Sequence, residues 1–128
     1  MVTALYAVIL AGLMIRLAVQ VIQLRRRHQV KYADGGVNVL TLARSAQGNA
    51  AEYVPITLIM MGLAEMNGAA VGWIHLCGIA FIVGRVLHAK AILNDRLKGR
   101  VTGMKLTFGV MTLLMVLNLI YLPYARLW

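Results

Sequence analysis

Acidic residues are scarce in this sequence of 128 residues. Four Asp and Glu residues stand against thirteen Lys and Arg residues, and charged residues make up only 13% of the chain. Hydrophobic residues make up 61%, whereas soluble domains contain roughly 45–50% apolar residues. So few charges cannot coat that much apolar surface in water, which excludes an ordinary soluble domain. The length predicts a single domain over residues 1–128, and the composition predicts that lipid surrounds it.

Cysteines and metal-ligand patterns are also nearly absent. The single cysteine, Cys77, excludes a disulfide framework or a multi-cysteine metal site within one chain. It lies in an apolar run, and we interpret it as a small buried hydrophobe. No second histidine or carboxylate accompanies His88 at metal-ligand spacing, so we predict no metal site. The sequence also lacks internal repeats, Walker-type loops and dinucleotide-binding fingerprints.

Positive charge is present in excess. A net charge of +9 is typical of nucleic-acid-binding proteins, but the positions of the charges exclude that partner. Ten basic residues form two clusters that flank apolar runs: Arg25, Arg26, Arg27, Lys31 and Arg44, then Lys90, Arg96, Lys98, Arg100 and Lys105. This is the positive-inside pattern of membrane proteins. It predicts that both clusters are cytoplasmic and that both termini are outside, which for a bacterial inner-membrane protein is the periplasm.

Four stretches have the length or periodicity of transmembrane helices. The first, Val2–Leu24, would span about 34 Å, more than the hydrocarbon layer of about 30 Å. No basic residue precedes it, so we expect it to stay in the mature protein rather than act as a removable signal peptide. Turn residues at Asp34-Gly35-Gly36 and Asn67-Gly68 separate the following stretches. The predicted fold class is an all-α integral-membrane four-helix bundle with helices at approximately 2–24, 38–66, 71–92 and 103–124. An aromatic belt of the kind found at membrane interfaces ends the chain: Tyr121, Tyr124 and Trp128.

The second helix is polar in its first half. Its uninterrupted apolar run, Val54–Ala64, would span only about 16 Å and cannot cross a bilayer alone. The helix must therefore include polar residues, which are costly at membrane depth unless they face protein or water. Four of them fall within an arc of about 100°, whereas Arg44 and Gln47 point elsewhere; the four are Ser45, Asn49, Glu52 and Tyr53. This wide polar surface indicates that a neighbouring subunit covers part of it.

The third helix carries an arginine at membrane depth. Arg85 and His88 are three residues apart and share a face with Gly78 and Phe81, so the guanidinium can meet a carboxylate inside the bundle. Glu52 on the second helix is the candidate partner. Two interpretations remain open from the residues alone: a structural ion pair between Glu52 and Arg85, or a ligand-binding site.

Two motifs resemble those of a known family. The second helix carries Ala46-Gln47-Gly48-Asn49, Glu52-Tyr53 and Pro55, and the third carries Gly84-Arg85 with His88. With four helices in a chain of this length and two basic connections, they resemble the MAPEG family, the membrane-associated proteins in eicosanoid and glutathione metabolism. The turn in the first basic connection is similar to that of bacterial members. The resemblance implies an integral-membrane homotrimer that binds glutathione as co-substrate between adjacent subunits.

Carried over residue by residue, the resemblance implies a glutathione site and a catalytic cation. The implied glutathione-binding residues are Arg44, Gln47, Asn49, Glu52, Tyr53, Arg85 and His88. Arg85 would pair a glutathione carboxylate bidentately, and Glu52 would take the ammonium group. The cation implied to activate the thiol is Arg100, with Arg96 and Lys105 as alternatives. Ile92 stands where catalytic relatives often carry a tyrosine.

The resemblance therefore implies a glutathione transferase or peroxidase acting on hydrophobic electrophiles or lipid hydroperoxides. Its other partners would be membrane lipid and a hydrophobic small molecule. The alternative is a non-enzymatic lipid-binding or scaffolding membrane protein of the same fold, which the departure at Ile92 leaves open. A small transporter or channel is a third alternative, although no ionisable residue marks the core of the fourth helix.

Overall fold

The computed structural model describes residues 1–126, and every long element in that range is an α-helix. The helices are α1 (Thr3–His28), α2 (Asn38–Met66), α3 (Val71–Leu93) and α4 (Leu97–Ile120), followed by one 3-10 turn at Tyr124–Arg126. Successive helices run in opposite directions, so both basic connections lie at one end of the bundle, called here the basic end. The prediction of an all-α four-helix membrane fold is confirmed. Trp128, the last member of the predicted aromatic belt, lies outside the described residues.

α1 is longer than its apolar segment. It continues beyond Leu24, its predicted end, to His28, and its last turn holds only basic side chains: Arg25, Arg26, Arg27 and His28. Hydropathy predicts only the part of a helix that lies in lipid. The basic last turn of α1 stays helical in water, because its positive charges interact favourably with the negative C-terminal end of the helix dipole. α2 spans residues 38–66, as predicted. Because its first half is polar, α2 is not among the described helices that are long and apolar enough to cross a membrane, which are α1, α3 and α4.

α4 begins and ends earlier than its hydropathy indicates. It starts at Leu97, six residues before the predicted Gly103, and it ends at Ile120 rather than Tyr124. Charged residues at the start of the helix lower its hydropathy without interrupting its backbone hydrogen bonds. At the other end Pro123 lacks an N–H group and cannot continue a helix. The connection from α3 is therefore only three residues long, and Arg100 lies within α4 rather than in a loop.

Among the described helices, α3 and α4 share the most extensive contact. A Cβ atom added at Gly103 would lie 2.7 Å from His88 Cβ and 2.8 Å from the Gly84 carbonyl oxygen. One turn earlier, a Cβ atom at Gly99 would lie 2.7 Å from Ala91 Cβ. Small residues four apart allow membrane helices to pack backbone against backbone. This contact holds the first turns of α4, which carry Arg100, against the end of α3 that carries His88.

Polar contacts hold α1 at the end opposite the basic end. The Glu65 carboxylate accepts hydrogen bonds from the backbone N–H groups of Val2 and Thr3, the latter at 2.8 Å. These N–H groups belong to the start of α1 and have no partner within the helix. The Tyr6 hydroxyl also lies 2.6 Å from Nδ1 of His75 on α3. Glu65, from α2, thus completes the first turn of a neighbouring helix.

The α1–α2 connection contains the predicted turn. Gly35 and Gly36 have φ angles of 58° and 75°, in the left-handed region that favours glycine. The Gly36 N–H donates to Asp34 Oδ1 at 3.1 Å, and this hydrogen bond lowers the pKa of the Asp34 carboxyl. Asp34 Oδ2 also lies 4.0 Å from Arg44 Nη1. The turn thereby brings an acidic group beside the first turns of α2 at the basic end.

Candidate functional site

A groove formed by α2, α3 and α4 contains several of the predicted site residues. It encloses about 730 Å³ and is open to the surroundings of the bundle. Its polar lining residues are Ser45, Asn49, Glu52, His88, Arg100 and Lys105, and its apolar ones include Ile92, Val101, Met104 and Phe108. Of the residues predicted from the sequence, Asn49, Glu52, His88 and Arg100 therefore share one cavity. We call this cavity the α2–α4 groove.

Arg85 lies behind Asn49 and His88 and does not line the α2–α4 groove. Its side chain is 0% exposed. Nη2 donates to Asn49 Oδ1 at 2.5 Å and lies 3.2 Å from His88 Nδ1, while Nη1 donates to Thr107 Oγ1 at 3.4 Å. Bidentate pairing with a glutathione carboxylate, as the resemblance implied, would require these partners to move. In the present arrangement Arg85 faces protein groups, and Asn49 and His88 face the cavity.

The ion pair between Glu52 and Arg85 is not formed among the described residues. The ion pair found within residues 1–126 is the one between Asp34 and Arg44, and Glu52 is exposed on α2. Asn49 lies one turn before Glu52 on the same helix and occupies the position in front of the guanidinium. The structural interpretation of Arg85 as an ion-pair partner is therefore wrong within this chain.

Neutral groups alone surround the Arg85 charge in the part of the chain that the structure describes. Besides its hydrogen-bond partners, the guanidinium carbon lies 5.8 Å from the centroid of the Tyr53 ring, a cation–π distance. The Nε atom is buried and has no hydrogen-bond partner within residues 1–126. A buried charge without a counter-charge is costly. This environment therefore favours an anion in the adjacent groove.

His88 reaches the Arg85 guanidinium through Nδ1. A guanidinium only donates hydrogen bonds, so Nδ1 accepts and carries no proton in this contact. The imidazole is then neutral with its proton on Nε2, which leaves an N–H donor for a further partner. His88 lines the α2–α4 groove, and Nε2–H is the hydrogen-bond donor that its ring retains for a ligand.

Glu52 lies at membrane depth on an exposed face of α2. Counting about 20 residues of hydrocarbon span back from Met66 puts the membrane boundary near Gln47, with Glu52 about 8 Å inside it at 1.5 Å per residue. A carboxylate at that depth is costly in contact with lipid. The exposed position of Glu52 therefore requires a polar neighbour, either a ligand or another protein surface.

The three candidate cations in and just before α4 separate into two groups. Arg100 and Lys105 both line the α2–α4 groove. Arg96 instead immediately precedes α4 and lines a different surface groove together with Lys98. The structure thus keeps Arg100 and Lys105 near the cavity and separates Arg96 from it.

Three other predicted residues lie outside the lining of the α2–α4 groove. Arg44 is exposed and approaches Asp34, Gln47 is half-buried on another face of α2, and Tyr53 packs edge-on against Phe108 with ring centroids 5.7 Å apart. The prediction that Arg44 and Gln47 point away from the arc of Asn49 and Glu52 agrees with this. Arg44 and Gln47 therefore do not line the α2–α4 groove of their own chain, and they could contact only a ligand bound elsewhere.

The sequence interpretation missed the contribution of α4 to the buried cation. Thr107 donates to the Gly103 carbonyl at 2.9 Å and accepts from Arg85, and Met104 Sδ lies 3.8 Å from Arg85 Nη1. A signal existed, because Arg100, Gly103, Met104 and Thr107 follow the helical spacing of three, four and seven residues. That spacing indicates one shared face, on which an arginine and a threonine stand out among apolar residues.

Comparison with known proteins identifies relatives of this chain. Residues 3–120 match the sequence model of the MAPEG family. The inner membrane protein YecN of Escherichia coli strain K12 is 39% identical over 124 residues, which cover 97% of this chain and 95% of YecN. YecN of Escherichia coli O6:H1 matches with the same identity and coverage.

Proposed function

Because the chain belongs to the MAPEG family, whose membrane proteins act in eicosanoid and glutathione metabolism, we propose that its α2–α4 groove binds glutathione. We further propose that it transfers glutathione to hydrophobic electrophiles or uses it to reduce lipid hydroperoxides. The observation that carries the proposal is Arg85, a fully buried cation that meets only neutral groups among the described residues. It lies behind a cavity lined by polar side chains.

The polar groups of the groove match those of glutathione. Glutathione carries two carboxylates, one ammonium group, two amides and a thiol. The buried charge of Arg85 attracts a carboxylate to Asn49 and His88, whose remaining N–H groups donate to it. Asn49 retains its amide donors because its oxygen already accepts from Arg85. The Glu52 carboxylate takes the ammonium group, which also neutralises a charge that would otherwise face lipid.

Arg100 is the cation that stabilises the glutathione thiolate. A guanidinium beside sulfur lowers the pKa of the glutathione thiol by favouring its charged form. The thiol proton leaves to water, the sulfur attacks the electrophilic carbon, and the leaving group departs with the electrons of its bond. With a hydroperoxide, the thiolate instead takes the terminal oxygen and releases an alcohol, and a second glutathione then yields the disulfide and water. The apolar wall at Val101 and Phe108 receives the hydrophobic substrate.

In a homotrimer, the surface of a neighbouring subunit would cover the exposed Glu52. Arg44 and Gln47 face away from their own groove, so they contact glutathione only if they approach the groove of an adjacent subunit. This is the reason we propose binding between subunits. We also propose an inner-membrane location, as for YecN, with the basic end in the cytoplasm and the termini in the periplasm, following the positive-inside rule.

The proposal is tested by titrating glutathione into the purified protein, with binding followed by calorimetry and thiol ionisation by thiolate absorbance. We expect binding together with thiolate formation at neutral pH, and turnover of a chlorodinitroaromatic or a lipid hydroperoxide. Arg100→Ala should retain binding and lower turnover on the order of 100-fold. Lys98→Ala is the matched control, because Lys98 lies near the start of the same helix but lines another groove.

Two outcomes would contradict the proposal at different levels. Full turnover in Arg100→Ala would remove the catalytic assignment and leave the binding site. The absence of glutathione binding, together with turnover no higher than a heat-killed control, would remove the function itself. Lipid that co-purifies in that second case would favour the alternative, a lipid-binding or scaffolding protein. The apolar Ile92 in the groove lining, where catalytic relatives often carry a tyrosine, is the feature that supports this alternative.

A further inference from the structure

A second groove, between α1 and α3, combines an apolar wall with unneutralised cations. It encloses about 660 Å³ and is separate from the α2–α4 groove. Its polar lining residues are Arg16, Gln20 and Gln23 from α1 and Lys90 from α3. The lining residues of α1 lie on one face of that helix, and those of α3 lie on one face of theirs. These two helix faces form the walls of the groove. We call this cavity the α1–α3 groove.

Arg16 lies at a membrane depth where an unpaired charge is costly. Counting about 20 residues from Thr3 puts the membrane boundary near Ile22, with Arg16 about 9 Å inside it at 1.5 Å per residue. The same count from Val71 puts Lys90 at the boundary itself. An arginine at that depth is costly unless it meets a polar or anionic partner. Its long side chain can extend toward the headgroups while its stem stays in the apolar layer.

Carboxylates are absent from the lining of the α1–α3 groove among the described residues. The four acidic residues lie elsewhere: Asp34 in the α1–α2 connection, Glu52 in the α2–α4 groove, Glu65 near the end of α2, where it contacts the start of α1, and Asp95 in the α3–α4 connection. Within residues 1–126, Arg16 and Lys90 form no ion pair with any of them. An anion that neutralises these cations would therefore come from outside the described residues, and the apolar side chains of the groove favour one attached to an apolar body.

We infer that the α1–α3 groove binds an anionic phospholipid of the leaflet at the basic end. Arg16 and Lys90 contact the phosphate, Gln20 and Gln23 donate to its oxygens or to the glycerol, and an acyl chain lies along Leu17 and other apolar side chains of the groove. Basic pockets between transmembrane helices near the headgroup layer bind lipids in this way. The site goes beyond the proposed glutathione function, since it lies between different helices and shares no lining residue with the α2–α4 groove.

The test is native mass spectrometry of the intact protein in neutral detergent, titrated with phosphatidylglycerol or with phosphatidylcholine of the same acyl chains. We expect a lipid adduct that forms preferentially with phosphatidylglycerol and that millimolar inorganic phosphate does not displace. Arg16→Gln and Lys90→Gln should each weaken the phosphatidylglycerol adduct about fivefold, the contribution of one basic residue near an anionic membrane surface. Arg16→Lys, which keeps the charge, should retain most of the adduct.

Arg27→Gln is the matched control, because Arg27 is exposed on the last turn of α1 and lies outside the lining of the groove. It should leave the phosphatidylglycerol preference unchanged. Equal adducts with both lipids, displacement by inorganic phosphate, or equal losses in Arg16→Gln and Arg27→Gln would each overturn the inference. A change of subunit number in Arg16→Gln with an unaltered lipid preference would overturn it too, because the groove would then be a protein contact. If Arg16→Gln does not fold, Lys90→Gln carries the same comparison.

Discussion

Replacing Gly103 with alanine would test whether the contact between α3 and α4 constrains the site. The added Cβ atom would lie 2.7 Å from His88 Cβ, 2.9 Å from His88 Cα and 2.8 Å from the Gly84 carbonyl oxygen. These neighbours are backbone atoms or atoms bonded to the backbone, so rotation of a side chain cannot relieve the overlap. The helices must separate, and overpacking of this kind costs about 1–3 kcal/mol.

Gly109→Ala is the matched substitution. Gly109 lies on the same helix, and nothing lies within 4 Å of a Cβ atom added there. Both substitutions gain the same helix propensity, about 1 kcal/mol in favour of alanine, so this contribution cancels when the two variants are compared. The difference between their free energies of unfolding is then the steric cost alone, about 1–3 kcal/mol.

The assay is unfolding in mixed micelles with an increasing fraction of denaturing detergent, followed by circular dichroism. Gly103→Ala should unfold at a lower detergent fraction than Gly109→Ala. It should also bind glutathione more weakly, because Thr107 and Arg100 on α4 move away from Arg85 and His88 on α3 when the helices separate. If the two variants unfold at the same detergent fraction, the backbone contact does not constrain the packing of α3 against α4.

Three further substitutions test individual polar contacts in the same unfolding assay. Asn49→Ala should cost about 1–3 kcal/mol, because it leaves a charged donor of Arg85 buried without its acceptor; wild-type stability would show that another group accepts the hydrogen bond. Glu65→Ala should cost about 1 kcal/mol and speed hydrogen exchange in the first turn of α1, whose N–H groups the carboxylate binds; unchanged exchange there would contradict this role. Asn118→Leu should cost about 0.6 kcal/mol, a typical value for a side-chain hydrogen bond between membrane helices, because the Asn118 amide donates to the Met60 carbonyl of α2 at 2.8 Å. A gain in stability would mean that burying leucine outweighs that bond.

The number and order of the helices could be predicted because they depend on local composition. Apolar runs about 20 residues long, as in α1, α3 and α4, are stable in lipid only as helices. The shorter apolar run of α2 can cross a bilayer only if the polar residues before it belong to the same helix, and turn residues separate the four segments. The ends of α1 and α4 could not be predicted in the same way. Hydropathy does not detect helical turns that extend beyond the membrane into water, such as the turns that end at His28 in α1 and begin at Leu97 in α4.

The residue types of the candidate site could be predicted, but their pairing could not. The motif on α2 and the arginine on α3 singled out Asn49, Glu52 and Arg85, and the structure brings Asn49 and Arg85 into direct contact. The predicted contact between Glu52 and Arg85 was wrong, because the rotation of α2 puts Asn49 in front of the guanidinium. The contact of Thr107 with Arg85 needed the position of α4, which depends on the close approach at Gly84 and Gly103.

The sequence by itself determined that this chain is a four-helix membrane protein with a charged group at membrane depth on α3. That result follows from transfer free energies, which belong to each residue type and sum along the chain. Only the tertiary structure decided that Arg85 is fully buried among neutral partners, with Asn49 and His88 between it and the groove. Burial and pairing depend on how each helix is rotated and how closely α3 and α4 approach, and those are set by contacts between residues far apart in the chain.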